Sequence, residues 1–203
     1  MSFAIFVWIF LFLITVTVHE VCHGLVAYAM GDPTAKQHGR LTLNPLKHID
    51  PFWTVLLPGL LFFGTGGRFA IGMAKPVPVD FSRLHPLRLG MILVALAGPL
   101  ANFVLAFVFS LGWSWNGNTF FLYGVYFNLG LALFNLIPIP PLDGSRIVTG
   151  LLPRQLALDY VKLEKFGFII ILILYFTGIL FNIILPALNF CGNLLGVPIL
   201  RFY

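Results

Sequence analysis

The stretch Met1–His23, MSFAIFVWIFLFLITVTVHEVCH, decides how the rest of the chain is read. No charged residue occurs from Met1 to Val18, and mostly apolar sequence resumes from Val21 to Met30. Glu20 therefore falls inside a segment with the character of a membrane span, where a carboxylate costs at least a few kcal/mol. No Lys or Arg lies near it in sequence to neutralise it, and unpaired polar groups in apolar surroundings are expensive. The spacing His19-Glu20-Val21-Cys22-His23 resolves this. At about 100° per residue, two His four apart sit about 40° apart on one helix face and can share a metal ion. Glu20, beside the first His, is then placed to accept a proton from an attacking water. The plainer alternative, two core histidines and a salt-bridged Glu, leaves these polar groups without partners.

Composition agrees with a bilayer setting. Of 203 residues, 59% are hydrophobic and 9% charged, against about 25% charged in soluble domains. Four stretches lack charge altogether: 1–18, 51–67, 89–142 and 166–200. A spanning helix needs about 20 residues, so the third stretch holds two and the others one at most. The 51–67 stretch is short and broken by Pro58, Gly59, Gly64, Gly66 and Gly67, and reads as a short or re-entrant segment. The expected fold is an all-α polytopic membrane protein of about five transmembrane helices, with short β-strand or re-entrant elements between the first helix and the third apolar stretch. The first stretch lacks a basic n-region, so a cleavable signal peptide is not expected.

The net charge of +5 reflects topology rather than a nucleic-acid partner. Lys36, Arg40, Lys47, Arg68, Lys75, Arg83 and Arg88 lie between the first helix and the third stretch; Arg146, Arg154, Lys162 and Lys165 follow it. The turn at 114–119 is uncharged. The positive-inside rule places loops 31–88 and 143–165 in the cytoplasm of a multi-pass inner-membrane protein, with the N-terminus and the 114–119 turn outside.

Along the chain, the first helix spans about Phe3 to Met30 and stops at Gly31-Asp32-Pro33. Gln37–Pro45 alternates polar and apolar residues and reads as a short strand or hairpin, as does Arg68–Ala74. Lys75-Pro76-Val77-Pro78-Val79 is extended by its prolines. The next helices are expected at about Leu89–Trp113 and from about Phe120, the latter broken by Pro138, Pro140 and Pro141. One last span covers about Phe166–Leu185, with Leu188–Tyr203 an apolar tail. His38, His48 and His85 fall in loops and are expected at the surface. Cys22 lies about 300° around the helix from His19 and reads as a packing residue; a disulfide to Cys191 is not expected.

A catalytic zinc site needs three protein ligands and an open position. Outside the loops, the acids embedded in apolar sequence are Glu20 and Asp143. From a start near Phe3, His19 lies roughly 24 Å into a hydrocarbon core of about 30 Å, near the cytoplasmic boundary. Asp143 ends a helix running the same way, and Gly98–Asn102 opens one that starts from that face. Asp143 is thus the third ligand expected, ahead of a helix-terminal turn or a pairing with Arg146. Asn102 reads equally as interhelical glue or as a site residue.

With these residues in view, the chain resembles the site-2 protease family of intramembrane zinc metalloproteases, in its compact bacterial branch. The resemblance covers about 18–153. It rests on His19-Glu20-Val21-Cys22-His23, Gly98-Pro99-Leu100-Ala101-Asn102 and Asn135–Gly144 in that order, joined by Arg40–Asp50 and Ala74–Val79. It implies that His19, His23 and Asp143 bind Zn2+, that Glu20 is general base and acid, and that Asn135 and Asn102 steady the substrate backbone or oxyanion. It also implies hydrolysis within or beside transmembrane segments of single-span or membrane-anchored proteins, with loop strands pairing to an unwound substrate. The whole of 1–203 then forms one membrane-embedded metalloprotease domain, with a catalytic core at about 3–153 and an added helix and tail at 166–203. No soluble segment is long enough for a PDZ-like or regulatory domain, and self-association stays open. The other readings are a non-proteolytic scaffold or chaperone for transmembrane helices, which would not need Glu20, and a metal transporter, which would need polar residues strung across the bilayer.

Overall fold

The computed structural model describes residues 2–64, 66 and 74–198. Helix α1 (Ser2–Ala29) takes up the opening apolar stretch and the histidine pair in one 28-residue element. It ends where Gly31 adopts φ +103°, a conformation that favours glycine. Asp32 follows, fully buried, with Oδ1 accepting from the Thr34 amide (3.0 Å) and hydroxyl (2.5 Å) to start the short α2 (Thr34–Gln37).

The strand or hairpin expected at 37–45 does not form. The Thr42 hydroxyl accepts from the Asn44 amide (3.2 Å) and the Asn44 side chain from the Leu46 amide (3.0 Å), opening a 3₁₀ turn at Pro45–His48. Such local side-chain bonds compete with a strand ladder. Among the described residues there is no β-strand; Arg68–Met73 of the second expected strand lie outside them. His48, expected at the surface, is buried, its Nε2 2.9 Å from the Thr42 carbonyl. A π-helical turn, Pro51–Leu56, is capped by Asp50, which accepts from the Phe52 and Trp53 amides. It leads into α3 (Leu57–Gly64), whose eight residues reach about 12 Å and so cannot alone cross a bilayer.

Residues 74–80 carry neither helix nor strand, and a few hydrogen bonds hold them in place. The Lys75 amide donates to the His48 carbonyl (2.9 Å), the Val77 amide to Glu20 Oε2 (2.7 Å) and the Asp80 amide to Asp32 Oδ2 (2.7 Å). Arg40 grips the same segment from the other side, donating to the carbonyls of Lys75 (2.7 Å), Pro76 (3.3 Å) and Lys47.

Helices α4 (Leu87–Asn116) and α5 (Thr119–Asn135) form a hairpin turning at Gly117, with φ +64°, and Asn118, whose side chain accepts from the Phe120 amide. Against them pack α1, through Trp8 on Tyr123 and Phe127 (ring centroids 5.2 and 5.1 Å), and α9, through Leu188 in a cluster with Ala106, Val125 and Leu129. The proline-rich bend after α5 is tied down by the Tyr160 hydroxyl, which donates to the Pro138 carbonyl (2.7 Å). Then come α6 (Asp143–Leu151), α7 (Arg154–Val161), α8 (Glu164–Phe176) and α9 (Ile179–Leu194). The single last span expected at 166–185 is instead two helices bent by 77°, because Gly178, at φ +75°, ends α8 and opens α9; the expected tail is helical to Leu194. Helices α1 and α4 are each long and apolar enough to cross a membrane, and the bent pair α8–α9 would make a third span.

Candidate metal centre

The two histidines reach the same point from successive turns of α1, and each ring is oriented from α4. His19 Nδ1 lies 2.6 Å from Asn102 Oδ1, and His23 Nδ1 lies 2.6 Å from the Val94 carbonyl. A carbonyl can only accept, so His23 carries its proton on Nδ1. Asn102 spends its amide hydrogens on the Thr15 carbonyl (3.2 Å) and Asn128 Oδ1 (3.0 Å), so it too presents an acceptor to His19. In the neutral form of each ring this leaves Nε2 as a lone pair, a tautomer assigned from the hydrogen-bond network.

Those lone pairs meet a carboxylate. The His19 and His23 Nε2 atoms are 3.0 Å apart, and Asp143 Oδ2 lies 3.1 and 3.2 Å from them. Asp143 Oδ2 is buried without a hydrogen-bond partner, as expected when neither facing nitrogen carries hydrogen. Three acceptors at such separations repel one another unless a cation lies among them. The edges of this triangle approach the roughly 3.3 Å between donors around a tetrahedral zinc with bonds of about 2.0 Å. Two neutral imidazoles and one carboxylate also suit the chemistry of that ion. His19, His23 and Asp143 form the one such cluster among the described residues.

Close approach makes the cluster. A Cβ on Gly98 of α4 would stand 2.6 and 2.7 Å from His19 Cε1 and Nε2, and closer still to His23 Nε2. A Cβ on Gly144 would meet the Leu136 carbonyl, so glycine there lets α6 begin against the end of α5 and brings Asp143 in.

Glu20 is not part of the triangle. It lines a cavity of about 320 Å³ with the three ligand residues, Asn135, and the apolar wall of Val77 and Val79. Its Oε2 is held by the Val77 amide, leaving Oε1 for a further proton partner. Asn135 donates to the Leu131 carbonyl (3.0 Å) and borders the cavity. Asn102 is fully buried behind His19 and is not among the cavity's lining residues. Cys22 is absent from the lining as well. Sequence reasoning missed Asn128, whose amide donates to the Gly124 carbonyl (2.8 Å) and which extends the buried polar chain from α1 through α4 to α5. Its signal was an Asn flanked on both sides by apolar residues in an expected membrane helix.

Comparison with known proteins gives a consistent picture. Residues 112–177 match the family described as Peptidase family M50. A Bacillus subtilis protein, YwhC, named as a candidate zinc metalloprotease, is 40% identical over 191 residues, covering 87% of this chain and 83% of its own. Rip2 of Mycolicibacterium smegmatis, named likewise, is 32% identical over 188 residues, covering 87% of this chain and 66% of its own. No solved structure matches the chain.

Proposed function

The chain belongs to peptidase family M50, and on that footing we propose that it is a zinc metalloprotease cutting membrane-anchored proteins within or beside their transmembrane segments. The observation that carries the reading is the triangle of His19 Nε2, His23 Nε2 and Asp143 Oδ2 with Glu20 beside it. Zinc held by those three side chains would supply Lewis-acid polarisation of the scissile carbonyl and of the attacking water. Glu20 takes the water proton as the oxygen bonds to the carbonyl carbon, then returns it to the amide nitrogen as the C–N bond breaks. The Val77 amide holds Glu20 Oε2, so the carboxylate meets the water in one orientation. Asn135 is placed to steady the substrate backbone or the developing oxyanion from the cavity rim. Asn102 acts behind the metal, fixing the tautomer of His19.

The charge pattern supports an arrangement in which the centre faces the cytoplasm and the N-terminus lies outside. Spans are α1, α4, α5 and the bent pair α8–α9, with α3 dipping in without crossing. Substrates enter as single-span or otherwise membrane-anchored chains. Co-expression of candidate single-span proteins with wild type and Glu20→Gln tests the reading. Cleavage by wild type alone is expected, with zinc retained by the variant; equal cleavage by both would overturn it.

A further inference from the structure

On the far side of the 74–80 segment lies a second cavity, of about 540 Å³, whose lining includes His38, Arg40, Lys47 and Lys75 and no acidic residue. Pro76 borders both cavities, while Val77 and Val79 line the metal side and Lys75 and Pro78 the basic side. We infer that this basic cavity is a binding site for a phosphate-bearing anion, and that its occupant is the headgroup of an anionic phospholipid.

Four observations carry this. Arg40 is more than nine-tenths buried, and among the described residues its guanidinium is met only by the carbonyls of Lys47, Lys75 and Pro76. Among the described residues it makes no ion pair, and its Nε has no partner. Buried charges are ordinarily paired, so this one calls for a counter-anion that none of the described residues provides. Secondly, Lys47 and Lys75 are exposed and form no ion pair among the described residues, so their ammonium groups are available to the same ligand. Thirdly, the cavity is built by the loop joining α1 to α4, both long and apolar enough to cross a membrane, so on the topology proposed above the ends of the loop lie at the headgroup level of one face. Basic pockets at that level suit lipid phosphate. Fourthly, Leu46 on the cavity wall and neighbouring Leu43 are largely exposed, apolar contacts that a lipid can use and free phosphate cannot.

The site also has a route to the catalytic side. The occupant would sit against Lys75 and Pro76, whose carbonyls Arg40 holds, one residue from the amide that fixes Glu20. The binding claim itself stands apart from proteolysis and is tested without it.

Full-length protein in neutral detergent is titrated with short-chain phosphatidylglycerol, with short-chain phosphatidylcholine, and with inorganic phosphate. The variants are Lys47→Gln/Lys75→Gln and, as a charge-matched control, Arg154→Gln/Lys165→Gln, both at exposed positions outside the cavity. Saturable binding of phosphatidylglycerol is expected in wild type and the control, with affinity about thirtyfold lower in Lys47→Gln/Lys75→Gln. Phosphatidylcholine should bind far more weakly and be indifferent to the substitutions. Inorganic phosphate competing for the same site with the lipid's affinity would support the anion site but overturn the lipid assignment. Equal losses in both double variants, or no difference between the two lipids, would reduce the effect to diffuse surface charge and overturn the proposal.

Discussion

Replacing Gly98 by Ala adds one methyl group to α4, at the point where both histidine rings cross it. The new Cβ would stand 2.7 Å from His19 Nε2 and nearer still to His23 Nε2, where ordinary contact begins at 3.4 Å. Close-packed interiors absorb such a conflict by displacement, here a parting of at least about 0.7 Å between α4 and the rings, and more at His23. The rings cannot follow α4 and keep their places, because the bonds that orient them end on α4 itself. Both are 2.6 Å long, and the same parting would stretch them to at least about 3.3 Å, past the usual range. The expected result is an increase of about 10- to 100-fold in the zinc dissociation constant, the range seen when such supporting hydrogen bonds are lost. Overpacking adds about 1–3 kcal/mol of destabilisation in the metal-free protein. Competition against a chromophoric chelator measures the first, and thermal unfolding after chelation the second. Gly130→Ala is the control, since a Cβ there meets only Leu188 Cδ1, at 3.8 Å. Wild-type zinc affinity in Gly98→Ala would refute the placement of α4 against the two rings.

Two further substitutions separate the supports of the site. Asn102→Ala removes the acceptor that fixes His19 and leaves the cavity lining unchanged, so zinc affinity should fall about 10- to 100-fold in the same competition assay. Wild-type affinity would show that His19 holds its tautomer without it. Val77→Pro deletes the amide hydrogen that holds Glu20, between two residues that are already proline. Loss of a hydrogen bond to a carboxylate is worth about 1.5–3 kcal/mol, so cleavage should slow about 10- to 100-fold with zinc content unchanged, while Val77→Ala stays near wild type. Equal rates in the two variants would remove the Val77 amide from the mechanism.

How much of this could be read from sequence follows from what each interaction depends on. His19 and His23 share a helix face by spacing alone, and depth arithmetic brought Asp143 to their level; the structure places all three ligand atoms within 4.8 Å of one another. The helix end at Gly31 was legible because the left-handed backbone there favours glycine. The reading failed where alternation was mistaken for pairing. Residues 37–45 alternate polar and apolar, but Thr42 and Asn44 spend their side chains on nearby amides, and Arg40 is drawn inward by carbonyls more than thirty residues away in sequence. Gly178 lies within a charge-free, largely apolar run, so hydropathy could not show the bend. Backbone donors such as the Val77 amide have no sequence signature at all, since every residue except proline carries one.

That last point bears on how the site is built. The two histidine rings are oriented by α4, through Asn102 and the Val94 carbonyl, while the Glu20 carboxylate is oriented by the 74–80 segment, through one amide. The first support is buried helix packing and the second an irregular segment held by Arg40, His48 and Asp32. Irregular segments held by few contacts open at lower free-energy cost than packed helices. On the proposed mechanism, metal retention and proton transfer are therefore separable. A change at the 74–80 segment can alter turnover while the zinc stays in place, whereas no change at Gly98 or Asn102 can disturb the rings and spare the metal. An occupant of the basic cavity, which borders the second support and not the first, would accordingly act on Glu20 alone.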